Sequence, residues 1–285
     1  IGGQQDILQE NLSVLADFDF TFAKAKLAED MDAQQPVMNR EGRAHLRQAR
    51  HPLIPRDRVV PIDIELGDAY TMLLITGPNT GGKTVSMKTF GLLVLMAQSG
   101  CFLPTAPDST LPVYQNIYAD IGDEQSIEQS LSTFSAHMTH IVDILSKVEA
   151  DDLVLVDELG AGTDPEEGAA LAMAILERLL AVKAATVATT HYSELKTFAY
   201  TREGIENACV EFDVKSLRPT YRLLIGIPGA SNAFAISRRL GLSEAIILRA
   251  QQLVKEDHAQ FEHVVNELER EKLVYEQHNA ELAER

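Results

Sequence analysis

The sequence predicts an α/β fold in which helices cover a mostly parallel β-sheet, with helical extensions at both ends of the chain. Three apolar runs without a polar face, at residues 71–76, 152–157 and 184–190, are typical of strands buried on both faces. Helical stretches separate these runs, as expected where helices cover a sheet. A shorter run at residues 221–224 is predicted to be an added antiparallel strand.

The two ends of the chain show helical patterns. Between residues 5 and 31 the apolar side chains recur at spacings of one, three and four, which predicts an amphipathic helix that packs on a neighbour. Ser243 followed by Glu244 is typical of a helix N-cap, and a narrow apolar stripe follows it. The stripe continues more loosely among many charges, so a solvated helix and the start of a dimerising coiled coil both remain open.

The composition indicates a globular protein with an acidic surface. Of the 285 residues, 45% are hydrophobic, which is enough to bury a core and excludes a disordered chain. There are 25 Lys and Arg against 42 Asp and Glu, and the net charge of -17 opposes broad, nonspecific attraction to nucleic acid or to an anionic membrane. Cys101 and Cys209 form neither a disulfide framework nor a zinc ligand set, so we expect buried thiols.

The apolar runs and the ends of the chain indicate where in the cell the protein is expected. No apolar run is long enough to cross a bilayer, and no basic segment followed by an apolar core opens the chain. We therefore expect a soluble, cytoplasmic protein without a membrane partner. The chain begins at Ile1 and stops within a charged helical pattern at Arg285, which we interpret as a piece of a longer protein.

A glycine-rich turn follows the first buried run, in the stretch LLITGPNTGGKT at residues 73–84. Its spacing fits the pattern G-x-x-x-x-G-K-[ST], in which backbone N–H groups surround phosphate oxygens. Lys83 is expected to reach the β- and γ-phosphates, and Thr84 to offer its hydroxyl to Mg²⁺. The alternative, a plain strand-to-helix turn, is disfavoured because an apolar strand precedes the loop and a helix-forming stretch follows it. The predicted nucleotide-binding residues are Gly77, Pro78, Asn79, Thr80, Gly81, Gly82, Lys83 and Thr84.

An acidic pair ends the second buried run, in DDLVLVDELGAGTDP at residues 151–165. Asp157 is expected at the carboxyl edge of the sheet beside the phosphate loop, where it can support the Mg²⁺ shell. Glu158 is then placed to orient or deprotonate a water molecule that attacks the γ-phosphate. Either acid alone would more often be a capping or surface residue, but a phosphate loop in the same sheet favours the catalytic interpretation.

A histidine ends the third buried run, in TTH at residues 189–191. A single histidine at a strand end is more often a structural hydrogen-bonding group than a catalyst. Here the strand is expected to share the sheet edge with Lys83 and Asp157. We therefore predict that His191 contacts the γ-phosphate and helps to hold the attacking water.

Four sequence motifs resemble those of one protein family. GPNTGGKT, SLSTFSAHM, DELGAGTDPEEGAALA and ATTHYSELK resemble, in this order, the MutS family of DNA-processing ATPases, and most closely its second, endonuclease-type branch. The resemblance covers about residues 5–285. It implies a P-loop NTPase fold of the ATP-binding-cassette type, with Mg²⁺-dependent binding of ATP or ADP and hydrolysis of the ATP phosphoric anhydride.

The resemblance also implies a homodimer with two composite sites. By matching motif positions, Ser132 would cap the γ-phosphate of the partner subunit, with Thr133 and Phe134 placing it. Gln125 falls in the loop that senses metal and water, and Asp164 in a loop that touches the opposite subunit. Mismatch-repair members usually carry Arg where this chain has Ala161, and Ser-Thr in place of Asp164 and its following proline.

The resemblance divides the chain into three regions. Residues 1–45 would be the end of the helical lever or core region, residues 46–242 the ABC-like ATPase domain, and residues 243–285 a C-terminal helix that starts a coiled coil. The parts that grip branched DNA or a nucleoprotein partner such as the stalled ribosome would lie mainly outside this chain, and the ATP state would control a clamp on them. Nuclease activity of the family is not expected in these residues.

Two questions remain open in the sequence. The segment that should cover the adenine has only Val59, Val60 and the His51-Pro52 pair, and no aromatic stacking partner is apparent. A nucleotide-gated structural scaffold, in which binding rather than turnover matters, is the alternative to an ATP-driven clamp. An ATP-driven transporter or chromosome-structure ATPase is disfavoured, because those families carry a glycine-rich signature where this chain has Ser132-Thr133-Phe134.

Overall fold

The structure is a computed structural model that describes residues 4–77, 82–122, 133–213, 218–229 and 232–253, together with residues 267 and 270. Helices and strands follow one another in this order: α1 Gln5–Met31, β1 Val37–Asn39, β2 Ala44–Ala49, β3 Ile62–Leu66, β4 Met72–Thr76, α2 Lys83–Gln98, β5 Thr110–Pro112, β6 Ile117–Asp120, α3 Thr133–Lys147, β7 Leu153–Val156, α4 Pro165–Val182, β8 Ala185–Thr189, α5 Ser193–Thr201, β9 Ile205–Asp213, β10 Arg218–Ile225, α6 Ala233–Arg239 and α7 Glu244–Leu253.

A six-stranded sheet confirms the predicted α/β fold. Its strand order is β10-β9-β4-β8-β7-β6, and all neighbouring pairs are parallel except β10 with β9. The three predicted buried strands are β4, β7 and β8, and the predicted antiparallel strand lies within β10. Strands β6 and β9 were not predicted from the sequence.

Both faces of this sheet are covered, as the apolar runs predict. On β4, Leu73 and Ile75 join the core formed with α2, whereas Met72 and Leu74 join the core formed with α3, α4 and α5. All four side chains are fully buried. Because successive side chains of a strand point to opposite faces, a run without a polar position requires a layer on each side.

A second, four-stranded sheet was not predicted. Its order is β1-β5-β2-β3, and its buried side chains, such as Leu46 and Ile64, pack into the same core as Phe90 of α2. Helix α2 therefore lies between the two sheets. The boundary predicted between residues 45 and 46 lies within β2, and the division into domains stays a prediction.

The helical extension at the N-terminal side is confirmed, but its apolar face is open. Helix α1 has no buried residue, and Phe18 and Phe22 on it are largely exposed. The predicted packing on a neighbour is therefore not made within the part of the chain that the structure describes. The end of α1 is held by Arg50, which donates hydrogen bonds to the carbonyl oxygens of Met31 and Asp32, both at 3.1 Å.

The C-terminal side is described as far as α7. The amide groups of Ile246 and Ile247 donate to the carbonyl oxygen of Ser243, so a helix begins where the Ser243-Glu244 signal predicted it. The predicted start of a coiled coil beyond residue 253 lies almost entirely outside the described residues. Among the described helices, none is both long and apolar enough to span a bilayer.

Candidate functional site

The carboxyl ends of parallel strands bring the predicted motifs to one edge of the sheet. Gly77 follows β4, Asp157 and Glu158 follow β7, and Thr189 ends β8. Strand β8 lies between β4 and β7 and pairs in parallel with both. Crevices at the carboxyl ends of such strands are the usual binding sites of open α/β sheets.

A hydrogen bond joins the end of the phosphate loop to the acidic pair. The Thr84 hydroxyl donates to Oδ2 of Asp157 at 2.7 Å, although 73 positions separate the two residues. The other oxygen, Oδ1, accepts a hydrogen bond from the Thr189 hydroxyl. The same Thr189 oxygen accepts the backbone N–H of Glu158 at 2.8 Å. Thr189, which the sequence analysis did not single out, therefore orders both acids.

The donor set of Thr84 and Asp157 fits a magnesium ion. Both side chains offer oxygen, and Asp157 is only 8% exposed. Mg²⁺ usually takes one or two protein ligands and completes its shell with water and substrate phosphates. Within the described residues there is no group of three or more His, Cys, Asp or Glu side chains that could hold a metal, so a cage built of protein ligands alone is not offered there. A metal bound through nucleotide phosphates suits this arrangement.

Glu158 has an unusual backbone conformation beside this pair. Its φ of 49° lies in the left-handed region, which residues other than glycine rarely adopt. The side chain lines a cavity of about 220 Å³ that also contains Thr84 and Asp157. The remaining lining residues of this acidic cavity are Lys88, Gly122 and His137.

Lys83 lies buried beside the loop. Its side chain is 2% exposed, and Nζ donates to the carbonyl oxygen of Gly77 at 2.6 Å. Burial lowers the pKa of Lys83 because it disfavours the charged form, while Glu158 and Asp157 act in the opposite direction. A phosphate group in the loop would place further negative charge beside this buried cation.

Helix α2 presents a different face to a second, larger cavity. Gly82, Val85, Ser86 and Thr89 line a space of about 340 Å³, whereas Thr84 and Lys88 line the acidic cavity. These two sets follow helical spacing, so they lie on separate faces of the same turns. The other lining residues of the larger cavity are His51, Ile54, Arg58, Val59, Val60, Ile62 and Tyr221.

The larger cavity contains part of the segment that the sequence analysis expected to cover the adenine. Val59, Val60 and His51 line it, whereas Pro52 lines a neighbouring cavity. An aromatic side chain is also present, because Tyr221 approaches from β10. A Cβ atom added at Gly82 would lie 2.8 Å from Cδ1 of Tyr221, so the ring packs directly against the loop glycine.

A bulge in β10 directs Tyr221 to this place. Its φ is 62°, and the pairing of β10 with β9 shifts register between Pro219 and Leu223. A bulge of this kind re-aims a side chain out of the regular alternation. The sequence shows only a tyrosine in a short strand, which carries no signal for this contact.

His191 and Asp164 are described but do not join the cavities. His191 is exposed, and its ring centroid lies 4.5 Å from that of Tyr192. The described lining of neither cavity includes it. Asp164 caps α4, since its Oδ1 accepts the N–H groups of Glu166 at 3.0 Å and Glu167 at 3.2 Å.

Other predicted site residues lie outside the described part of the chain. They are Pro78, Asn79, Thr80, Gly81, Gln125 and Ser132. Phe134, predicted to help place Ser132, is described and lies near the loop after the acidic pair: a Cβ atom added at Gly162 would lie 3.2 Å from Cβ of Phe134.

Comparison with known proteins gives one consistent result. Residues 73–257 match the family model for MutS domain V. The chain is 61% identical over 264 residues, or 93% of its length, to Endonuclease MutS2 of Halalkalibacterium halodurans. It is 61% identical over 94% of its length to Endonuclease MutS2 of Geobacillus sp., and 58% identical over 94% to that of Lachnospira eligens. Each match covers 34% of the relative, so the chain spans about a third of the length of these proteins.

Replacing Thr189 by Val should destabilise the protein by about 1–3 kcal/mol, because the buried Asp157 and the backbone amide of Glu158 each lose a partner. The free energy of unfolding in urea measures this. Thr186→Val on the same strand is the control, since the side chain of Thr186 is equally buried and its hydroxyl donates to the carbonyl oxygen of Ala184. Equal losses in the two variants would contradict the role of Thr189.

Proposed function

This chain belongs to the MutS family through its domain V, and from that membership we propose a Mg²⁺-dependent ATPase module that dimerises to form two composite sites. The observation that carries the proposal is the hydrogen bond between Thr84 and Asp157. It joins two motifs that are far apart in sequence and that serve one chemistry, the binding of a metal-bound triphosphate.

The phosphate-binding part is proposed to be the loop from Gly77 to Thr84. Helix α2 begins at Lys83, so its first amide groups and the positive end of its dipole face an anion at this point. Lys83 would exchange the Gly77 carbonyl oxygen for phosphate oxygens, which explains how a buried cation is tolerated there. These local positive groups account for nucleotide binding by a chain with a net charge of -17.

Thr84 and Asp157 are proposed to hold the metal. When bound, Mg²⁺ would neutralise charge that develops on the β- and γ-phosphates. Glu158 would orient and accept a proton from the attacking water, since it lines the same cavity and its backbone is held by Thr189. His191, whose exposed ring lies beside that of Tyr192, is proposed to contact the γ-phosphate.

The larger cavity is proposed to receive the base. Its volume of about 340 Å³ falls in the range of small-molecule pockets. It adjoins the phosphate loop through Gly82, and most of its lining from residues 51–62 is apolar. Tyr221 would stack on the purine ring, a contact that aromatic side chains make with any base.

The proposal also includes a second subunit and partners that lie outside this chain. Ser132 would cap the γ-phosphate bound by a second subunit, and Asp164 would contact that subunit while capping α4. Gln125 would belong to the loop that senses metal and water. The ATP state would then control a clamp on branched DNA or a nucleoprotein partner in the full-length protein. The relatives are named endonucleases, but we assign no nuclease to these residues, which match about a third of each relative.

Replacing Lys83 by Met should weaken ADP binding at least tenfold, because the phosphates lose their buried cation. Titration with a fluorescent ADP derivative measures this, with Lys147→Met on the exposed face of α3 as control. Binding that is unchanged in Lys83→Met would contradict the phosphate-loop assignment.

The nucleotide-free Lys83→Met protein should be at least as stable as the wild type at pH 7. Burial lowers the folded-state pKa of Lys83, so the penalty for the buried cation is complete below that value and disappears as pH rises through the ordinary value of 10.5. Any gain in melting temperature should therefore shrink toward alkaline pH, and a large loss at pH 7 would contradict this prediction.

Replacing Tyr221 by Ala should weaken ATP binding by about 5- to 150-fold, the range expected for loss of one base–aromatic stacking contact. Tyr221→Phe keeps the ring and should bind within about twofold of the wild type. Inorganic tripolyphosphate has no base, so calorimetry should show equal binding to all three proteins. A parallel loss of tripolyphosphate binding would indicate damage to the loop instead.

Composite sites predict recovery of activity in mixed dimers. Glu158→Gln and Ser132→Ala chains should each hydrolyse ATP poorly, but a mixed dimer contains one intact site if Ser132 acts across the interface. An equal mixture should therefore reach about a quarter of the wild-type rate at random pairing of an isologous dimer. A mixture of Glu158→Gln with Lys83→Met is the control and should show no recovery; absence of recovery in both mixtures would contradict the action of Ser132 in trans.

A further inference from the structure

A buried acid lies next to Asp157 and is not explained by the proposed chemistry. Asp120 ends β6 and is 4% exposed. Its backbone carbonyl oxygen accepts the N–H of Asp157 at 2.9 Å, so the two acids are neighbours at the edge of the sheet. The side chain of Asp120 is not free to join the metal site, because two histidines of α3 occupy it.

The two histidines make similar hydrogen bonds with Asp120. Nδ1 of His137 lies 2.7 Å from Oδ2, and Nδ1 of His140 lies 3.1 Å from Oδ1. Against an ionised Asp120, which can only accept hydrogen bonds, each Nδ1 would carry the proton that is donated to it. In a neutral ring this arrangement leaves the lone pair on Nε2, as carboxylate partners commonly do for functional histidines.

The environments of the two histidines differ. The side chain of His137 is 21% exposed and lines the acidic cavity with Thr84, Asp157 and Glu158. That of His140 is 53% exposed and is absent from the described lining of this cavity. One helical turn thus separates a histidine that faces the proposed site of hydrolysis from one that faces solvent.

A neutral imidazole suits this position. The cavity already contains two acids, and a third carboxylate would repel the phosphates of a nucleotide. His137 instead offers a hydrogen-bond acceptor without negative charge, while its partner Asp120 remains behind the ring. Asp120 therefore orients the ring of His137 and does not itself present a carboxylate to the cavity.

We propose that His137 is a water-positioning residue of this site: with Nδ1–H donated to Asp120, its Nε2 accepts a hydrogen bond from a water molecule beside Glu158. The inference rests on the proposed ATP hydrolysis and adds to it a further group that orients the water. No proton is transferred to His137, and Glu158 remains the base.

The first test uses the nucleotide-free protein. Long-range ¹H–¹⁵N NMR of the imidazole nitrogens distinguishes the two neutral tautomers, with His137→Gln used to assign the signals. We expect protonated Nδ1 and unprotonated Nε2 on His137, and loss of this preference in Asp120→Asn. A wild-type His137 that carries its proton on Nε2 would overturn the proposal.

The second test separates turnover from binding. His137→Ala should lower kcat by about 10- to 100-fold, the effect typical of groups that orient a reacting partner, while affinity for fluorescent ADP without metal stays within about twofold. His137→Gln should restore part of kcat, because its amide oxygen can accept the same hydrogen bond. His140→Ala, which removes the other partner of Asp120, should keep kcat within about twofold.

The outcomes distinguish this inference from the proposed function. An active wild type with unchanged kcat in His137→Ala, or an equal loss in His140→Ala, would overturn the role of His137 alone. A wild type that binds ADP but does not hydrolyse ATP would overturn the proposed turnover, and the positioning role with it. Melting temperatures of the variants show whether any loss of activity comes from misfolding.

Discussion

The buried side chain of Asp157 is the group on which the geometry of the site depends. A buried carboxylate is strongly unfavourable unless hydrogen bonds satisfy its oxygens. Thr84 and Thr189 occupy the two oxygens, and the backbone N–H of Asp157 is taken by Asp120. These partners come from α2, β8 and β6, so satisfying one acid fixes three elements relative to β7.

Helix α2 fixes the positions of other residues of the site. It lies between two sheets, with Phe90 and Leu93 fully buried, so it cannot rotate without disturbing the core. Its first turns therefore present Thr84 to the acidic cavity and Val85 to the larger cavity in a fixed relation. The close contact of Gly82 with Tyr221 adds a further constraint, since any side chain at position 82 would overlap the ring.

His191 and His137 show what a sequence motif can and cannot predict about the position of a side chain. The TTH motif led to His191, which lies at the expected edge of the sheet but is exposed against Tyr192. His137 lies within the SLSTFSAHM motif, which drew attention to Ser132 and not to the histidine. Its position became evident only from its contact with Asp120 and the cavity that it lines. A residue type at a strand end predicts proximity to a site, whereas its orientation depends on neighbours from other elements.

The sequence by itself determined the α/β class, the three buried strands, the phosphate loop and the acidic pair, because these features depend on local periodicity and on short fixed spacings. Only the tertiary structure decided the four-stranded sheet, the contact of Tyr221 with Gly82, the pairing of Asp120 with His137 and the role of Thr189. The short strands β1 and β5 have too few residues for a clear alternation, and they pair only across a long separation in the chain. The side-chain contacts likewise join separate strands and helices. Their geometry depends on how the sheets pack around α2, which no local pattern in the sequence specifies.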